Sequence, residues 1–492
     1  MKIEKLEKTN FKSGLNALSK GLYALQNNDM LNASFVDIFA MDTPRTIVEF
    51  NHRGKNAGIE MGFREYTGTF IAEFSAALFA FLSSKVFSKF YKPEIKVNSS
   101  SWATNNTLDV IKSIYEVSDK TQDGFIDNVL KSMSGLVGNK ITKFDSKNTK
   151  NIKDKLKTLI NQDLDKKSSK KLLNNVQDEI IANLKADNNI FLKSGKDTVS
   201  ANLSHILRDV VDISKHVLFK EGVNIDSAID KLKTMNKTRV AIAIPLSMFL
   251  AITNQYINRK LTKKRTGIDN FVGENDYEKN VKDKNQAKNQ KGLIFKKMLS
   301  AGGFLLMLSK VMNLKKPSDL INKLEFTGPA TGGNAIKTIY GTLILGRIFA
   351  SKDSTELRET TVRDYLGFLN WLVLGGFVSK GVAQIFDPKK KELFNISKEG
   401  KGIKHWLSNV SIKSQKEILS SKNVSSNLKK LNIAQISGIL YSAIMLGVLL
   451  PKLNIWLTKR GKNKENLTIM SFKGLSFNEF KKNTDPLTNK EK

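Results

Sequence analysis

The sequence predicts an all-α protein, a multi-pass helical membrane protein with a soluble helical domain, on three uncharged or nearly uncharged stretches. Residues 431–451, LNIAQISGILYSAIMLGVLLP, hold no charge between Lys430 and Lys452, in a chain where 26% of residues are charged. At about 1.5 Å per residue such a helix reaches roughly 30 Å, the depth of a bilayer's hydrocarbon core. Residues 240–258 are likewise uncharged between Arg239 and Arg259, and in 365–386 eleven Leu, Ile, Val and Phe residues outweigh the single Lys380. These three are the strong spans. Up to three weaker apolar helices accompany them, at 67–87, 298–314 and 335–350.

Composition limits what else the chain does. At 492 residues there is room for two or three domains. The formal net charge of +33 resembles a footprint for phosphate, yet it comes from 69 lysines against 11 arginines spread along the whole chain. Nucleic-acid grooves favour the guanidinium fork, so nucleic acid is a disfavoured partner and the excess reads as codon bias on solvated faces. The bilayer is the expected partner, with anionic headgroups a secondary attraction for the lysines. The absence of cysteine excludes disulfides, thiol nucleophiles and Cys-bound zinc. The first twenty residues alternate charged and apolar and lack the continuous core of a signal peptide. No cofactor is implied.

Along the chain, 1–66 is a mixed region, with an amphipathic helix at 11–25 and a short strand at 46–51 paired with 59–63 across a turn. The block 67–97 is a possible first span. Glu73 near its start offsets most of the insertion energy of its Leu, Ile and Phe residues and becomes the intramembrane group to watch. From 98 to 236 apolar residues recur at helical intervals, as in Phe125, Ile126, Val129, Leu130 and Met133. This is read as a soluble amphipathic helical domain, with a Lys-rich polar joint at 148–154. The membrane region runs from 237 to 460. Pro245 is expected to bend the span at 240–258, and the basic cluster 259–265 suits a cytoplasmic flank, but Lys231, Lys233, Lys237 and Arg239 make the other flank nearly as basic, so orientation stays open. Residues 268–291 form a solvated linker. In the shorter pair 298–314 and 335–350, Lys310, Lys337 and Arg347 each cost about 2.5 to 3.5 kcal/mol at a bilayer centre. That pair is therefore either a bundle-protected hairpin or a core hairpin outside the membrane. Arg347 and Lys380 join Glu73 as intramembrane ionisable candidates. The segment 389–430 reads as a basic loop with short helices, and 461–492 as a mobile basic tail.

Three patterns invite a chemical reading. His205, Asp209, Asp212 and His216 fall at i, i+4, i+7 and i+11 of a helix expected at 198–219, an arc able to offer ligands to a divalent metal. The opposite face of that helix is apolar, so solvated i,i+4 pairing is the stronger explanation. The stretch from Gly328 to Thr338 has the glycines of a phosphate loop, but Asn334, Ala335 and Ile336 separate Gly333 from Lys337, so the lysine is misplaced. Arg64-Glu65-Tyr66 and Arg363-Asp364-Tyr365 each open an apolar block, as an internal duplication would leave them. Coincidence is the expected explanation in so Lys-rich a chain.

The expected function is transport, anchoring or assembly in a membrane, the bacterial cytoplasmic membrane foremost, without chemistry of its own. Two alternatives stand beside it: a membrane-inserting pore-forming protein, and a soluble helical protein that binds nucleic acid through its lysines.

Overall fold

The computed structural model describes residues 14–95, 102–135, 146–267, 290–316, 330–396 and 402–460 except 420 and 422, together with 319, 320, 323, 324, 326 and 400. Among them the chain is all-α with two small sheets. The expected linker at 268–291 falls, as far as 289, outside the described residues, as does the tail from 461.

The first helices are α1 (Gly14–Gln26), α2 (Asp29–Phe35) and α3 (Thr43–Arg53), with a π-helical turn Val36–Asp42 joining the last two. Gly54, at φ +85°, separates α3 from α4 (Lys55–Thr69), which continues through a π-helical turn Phe70–Ser75 into α5 (Ala76–Tyr91). The strands expected at 46–51 and 59–63 are therefore helical. The alternation read along 46–51 does not set the faces of this helix, which turns Ile47 and Phe50 outward. Both are exposed, while Arg45 and Glu49, four residues apart, form the buried face.

Next come α6 (Asn105–Glu116), α7 (Gln122–Ser132), α8 (Ser146–Asn161), α9 (Lys166–Leu184) and α10 (Leu203–Ile213), packed on one apolar core that runs from Ile95 to Leu232. The polar joint expected at 148–154 is the first half of α8. This part is not purely helical either: β1 (Met133–Gly135), β2 (Asn189–Ser194) and β3 (Asp197–Asn202) form an antiparallel sheet in that order. Gly195 at φ +56° and Lys196 make the two-residue hairpin turn, with Ser194 opposite Asp197. Ile190 and Leu192 point into the core from alternate positions of β2.

Helix α11 (Ile225–Thr266) leaves that core and continues without interruption for 42 residues, roughly 63 Å. Pro245 lies inside it, and the helix is continuous there. After α12 (Gln290–Val311) and α13 (Gly333–Ala350), α14 (Ser354–Leu369) passes through a π-helical turn Asn370–Leu374 into α15 (Gly375–Phe386). Then follow β4 (Phe394–Ile396), α16 (Ile403–Asn409), β5 (Val410–Ile412) and α17 (Gln415–Ile418). The last helix, α18 (Val424–Ser442), extends through a π-helical turn Ala443–Leu449 to Arg460. Among the described residues four helices are long and apolar enough to cross a membrane, Lys55–Tyr91, Ile225–Thr266, Gly292–Val311 and Val424–Arg460, and the stretch 365–386, expected as a strong span, is not one of them. The shorter pair does not form a hairpin of equals. Helix α13 is enclosed by its neighbours along nearly its whole length, whereas α12 is the most exposed of the four.

Two triplets of helices repeat in this body. In the first, α4–α5 lies antiparallel to α11, because partners rise on one helix as they fall on the other: Ser84 with Arg239, Ser75 with Ser247, Thr67 with Asn254 and Glu60 with Asn258. In the second, α14–α15 lies antiparallel to α18 and its extension through Glu359 with Asn454 and Asn370 with Tyr441. The contacts coincide position by position. Asn258 Nδ2 donates to the Glu60 carbonyl at 3.3 Å, and Asn454 Nδ2 to the Glu359 carbonyl at 3.3 Å. Thr262 sits beside the Glu60 carboxyl, and Thr458 donates to that of Glu359 at 2.9 Å. The sequence matches at the same places, Glu60-x3-Arg64-Glu65-Tyr66-x-Gly68 with Glu359-x3-Arg363-Asp364-Tyr365-x-Gly367, and Asn258-x2-Leu-Thr-Lys with Asn454-x2-Leu-Thr-Lys. A π-helical turn follows each Arg-acid-Tyr at nearly the same interval. The triplets also exchange helices. Gly346 of α13 lies against Ile252 of α11, and Gly447 of the α18 extension lies against Ala40 and Pro44 at the α3 entry. Coincidence, expected from the two Arg-acid-Tyr copies alone, does not account for contacts shared at three matched positions, Glu60 with Glu359, Asn258 with Asn454 and Thr262 with Thr458.

Candidate functional site

Where the triplets meet, α3, α4, α13 and α14 turn charged faces inward. Arg347 bridges them: its guanidinium reaches Glu65 Oε2 at 3.1 Å and Asp364 Oδ1 at 3.3 Å, one carboxylate from each copy of the motif. Arg363 Nε holds the same Asp364 oxygen at 2.9 Å, and Arg45 and Arg64 each lie 3.3 Å from Glu65 Oε1. A second layer begins one helical turn away. Arg53 engages Glu359 through both of its terminal nitrogens, at 2.7 and 2.9 Å, and Glu49 at 3.2 Å. Arg259 of α11 pairs with Glu356, whose other oxygen accepts from the Lys352 amide at 2.7 Å. Arg347 and Glu65 are 3% and 2% exposed. The planar fork of arginine engages two carboxylates on different helices, which one lysine ammonium does not, and it does so here with Arg347 Nε, Arg363 Nη2 and Asp364 Oδ2 left without a hydrogen bond.

Five of the chain's eleven arginines, at 45, 64, 239, 347 and 363, are buried in this body, and Arg53 and Arg259 are half-buried in its ion pairs. That was the signal available in the sequence. In a protein that otherwise uses lysine for positive charge, arginine is kept for places where the charge must be permanent and planar.

Of the intramembrane candidates, Arg347 is the centre of the lattice. Glu73 is fully buried on the π-helical turn between α4 and α5, facing Asp37. Lys380 is buried on α15, donates to the Trp406 carbonyl and lies 4.3 Å from the centre of the Trp406 ring. The glycine-rich stretch behaves as a helix start and not as a phosphate cradle, since the Gly333 amide at the head of α13 is taken by the Asp29 carboxylate at 2.9 Å. Gly328 and Pro329 lie outside the described residues.

His205, Asp209, Asp212 and His216 are not gathered. Among the described residues no group of three or more His, Asp or Glu is placed to hold a metal ion. The helix begins at Leu203, residues 198–202 being strand, and a π-helical turn at Ser214–Leu218 takes His216 off the helical register. Nor is the face solvated as expected. Asp209 is buried and pairs with Arg208 at 3.3 Å, and one Asp212 oxygen is buried without a hydrogen bond. His205 lines a cavity of about 440 Å³ with Asn27, Asp29, Asn202, Arg208 and Thr331.

Burial, reinforced by the neighbouring Asp209, pushes Asp212 up to about 7, and burial pushes Asp209 up to about 6 against the pull of Arg208. The folded chain thus keeps protons that the unfolded chain releases as pH rises from about 4, so stability falls between about pH 4 and about pH 7. Asp212→Asn is expected to raise the melting temperature at about pH 8 by the equivalent of about 1 to 2 kcal/mol, and to leave it unchanged near pH 4. His205 acts in the opposite sense: burial and Arg208 lower it to about 4, so it destabilises as pH falls from 6.5 toward that value. His205→Gln flattens that acid limb. Thermal unfolding of the full chain across pH reads both effects.

No protein-family model matches the chain, and no curated protein or solved structure matches it.

Proposed function

We propose that the protein is a multi-pass membrane protein with a transport role and no chemistry of its own, built from two related helical triplets around a central arginine–carboxylate lattice. The inverted polarity of its body supports this above all. Large apolar side chains face outward, with Phe249 64%, Leu306 67% and Leu440 56% exposed, while the ion pairs lie inside. In water that arrangement is unfavourable on both counts; in lipid both counts reverse. Paired repeats that enclose central charges are a common plan of transporters.

Seven crossings are proposed, α2–α3, α4–α5, α11, α12, α13, α14–α15 and the α18 helix to Arg460, of which α4–α5, α11, α12 and the α18 helix are long and apolar enough on their own. Both second helices of the triplets run the same way, so the inserts that follow them, 92–224 and 387–423, lie on one side. They touch there through Lys416 and Asp178 at 2.7 Å. Gly267 and Arg460, the described ends of α11 and of the last helix, lie on the other side with Lys263, Lys264 and Arg265, which supports a cytoplasmic assignment of that side. Topology reporters fused after residues 280 and 470 are expected to report the same side, and a fusion after 410 the opposite one. Opposite sides for 280 and 470 overturn the seven-crossing arrangement. Release of the chain by alkaline carbonate overturns membrane integration itself.

A further inference from the structure

The two triplets diverge at one buried place. Counting back from Arg45 and from Arg347, Asp37 and Asp42 of the first triplet correspond to Ile339 and Ile344 of the second. Counting on from Arg64 and from Arg363, Glu73 corresponds to Leu372. Ile339 and Ile344 are fully buried in the core, so this scaffold closes with apolar side chains at these positions. Asp37 and Asp42 thus stand where the second triplet buries isoleucine, and Glu73 where its sequence has leucine.

Asp37, Asp42 and Glu73 are each 0% exposed. Both carboxylate oxygens of Asp37 and of Glu73, and one of Asp42, have no hydrogen-bond partner, while the remaining Asp42 oxygen accepts from Thr69 Oγ1 at 2.7 Å. All three sit on π-helical turns: Asp37 and Asp42 on the one before α3, and Glu73, which is aimed at Asp37 from another helix, on the one before α5. Such turns concentrate at functional positions because they interrupt the regular helical ladder. The charged and titratable groups facing the three are Arg45 from α3, Glu65 from α4, and Tyr340 and Arg347 from α13; Ser34 from α2 adds a hydroxyl. Arg347 is engaged by Glu65 and Asp364, and Arg45 is shared with Glu65 at 3.3 Å and the Leu446 carbonyl at 3.4 Å. One shared arginine does not neutralise three further carboxylates, and an unpaired buried carboxylate is strongly disfavoured.

We propose that Asp37, Asp42 and Glu73 form a proton-binding site in the interior of the helical body, which the protein loads and empties during transport. The proton resides on a carboxylate oxygen of the Asp37–Glu73 pair, and Thr69 holds Asp42 in place beside it. This inference rests on the transport reading for its purpose, but its test does not.

The probe is dicyclohexylcarbodiimide, an apolar reagent that couples to protonated carboxyls shielded from water. Applied to the purified full chain in detergent, it is expected to modify Asp37 or Glu73 at about pH 6, located by peptide mass spectrometry. Modification is expected to fall by roughly tenfold near pH 9, as the site gives up its proton. Glu73→Leu, which installs the side chain of the second triplet, is expected to fold with an unchanged or higher melting temperature and to lose most of the modification. Modification that is absent from all three acids at about pH 6, or equal at both pH values, overturns the site. Unfolding of Glu73→Leu overturns it as well, by making the acid structural. Failure of transport in liposomes leaves the modification intact, and failure of modification leaves membrane integration intact, so the two are separable.

Discussion

Arg347→Met is expected to remove most of the folded protein. The substitution leaves Glu65 and Asp364 facing one another across the space the guanidinium filled, with Arg45, Arg64 and Arg363 held by geometry to single oxygens. Removing one member of a buried ion pair costs about 3 to 5 kcal/mol, because the stranded partner keeps its desolvation penalty. Against a total stability of about 5 to 15 kcal/mol, that is a large fraction. Arg347→Lys is expected to fall between wild type and methionine, since one ammonium cannot bridge two carboxylates on different helices as a planar fork does. The control is Lys112→Met: Lys112 pairs with Asp226 at 2.6 Å, but the two side chains are 32% and 73% exposed, so the expected cost is below about 1 kcal/mol. The yield of monodisperse protein in detergent, followed by its melting temperature, ranks the three.

The second large effect is expected where the triplets exchange helices. A Cβ at Gly346 would stand 2.8 Å from the Ile252 carbonyl oxygen, and one at Gly447 would stand 2.7 Å from the Ala40 carbonyl oxygen and 2.6 Å from Pro44 Cβ. Backbone cannot yield as a flexible side chain does, so each helix pair must separate. Gly346→Val and Gly447→Val are each expected to lower stability by about 1 to 3 kcal/mol, and by similar amounts because the two crossings are equivalent. Gly376 has nothing within 4 Å of a built Cβ, and Gly376→Ala is expected to be neutral or slightly stabilising. Melting temperatures of the three variants in one detergent compare them directly. A cost at Gly346 without one at Gly447 would argue that the second crossing does not reproduce the first.

The long apolar helices were legible because length and absence of charge are properties of contiguous sequence. The span at 240–258 lies within α11, the stretch at 431–451 within the last helix, and the block from 67 within Lys55–Tyr91. What was not legible depended on partners far apart in the chain. At 46–51 a short alternation was read as a strand, whereas the segment is helical with Arg45 and Glu49 on its buried face and Ile47 and Phe50 exposed. The β2–β3 hairpin was missed because a Ser-Gly-Lys-Asp turn is short and its strands are flanked by strong helical periodicity. Glu73, Arg347 and Lys380 were singled out one at a time as misfits within apolar blocks. Glu65 and Asp364 were noticed only as parts of the repeated Arg-acid-Tyr motif and not as partners of Arg347, and Asp37 and Trp406 were not paired with Glu73 and Lys380, because each partner lies on another helix or follows a loop. The Asn-x2-Leu-Thr-Lys copies at Asn258 and Asn454 are too short to be noticed until Glu60 and Glu359 are seen to hold the same positions beside them.

The placement of the inverted body in a bilayer is tested most directly by single-cysteine labelling, for which a chain without cysteine is already suited. Cysteines placed at Phe249, Leu440 and Ile444, whose side chains face outward from the body, are compared with one at Lys193 on β2 of the insert. In native membranes opened to both sides, a water-soluble maleimide is expected to modify the Lys193 position readily and the three others at least about tenfold more slowly, as the interior of a bilayer excludes both the reagent and the thiolate. Equal labelling at all four positions would contradict a lipid-facing girdle and, with it, the assignment of the arginine–carboxylate lattice to the interior of a membrane protein.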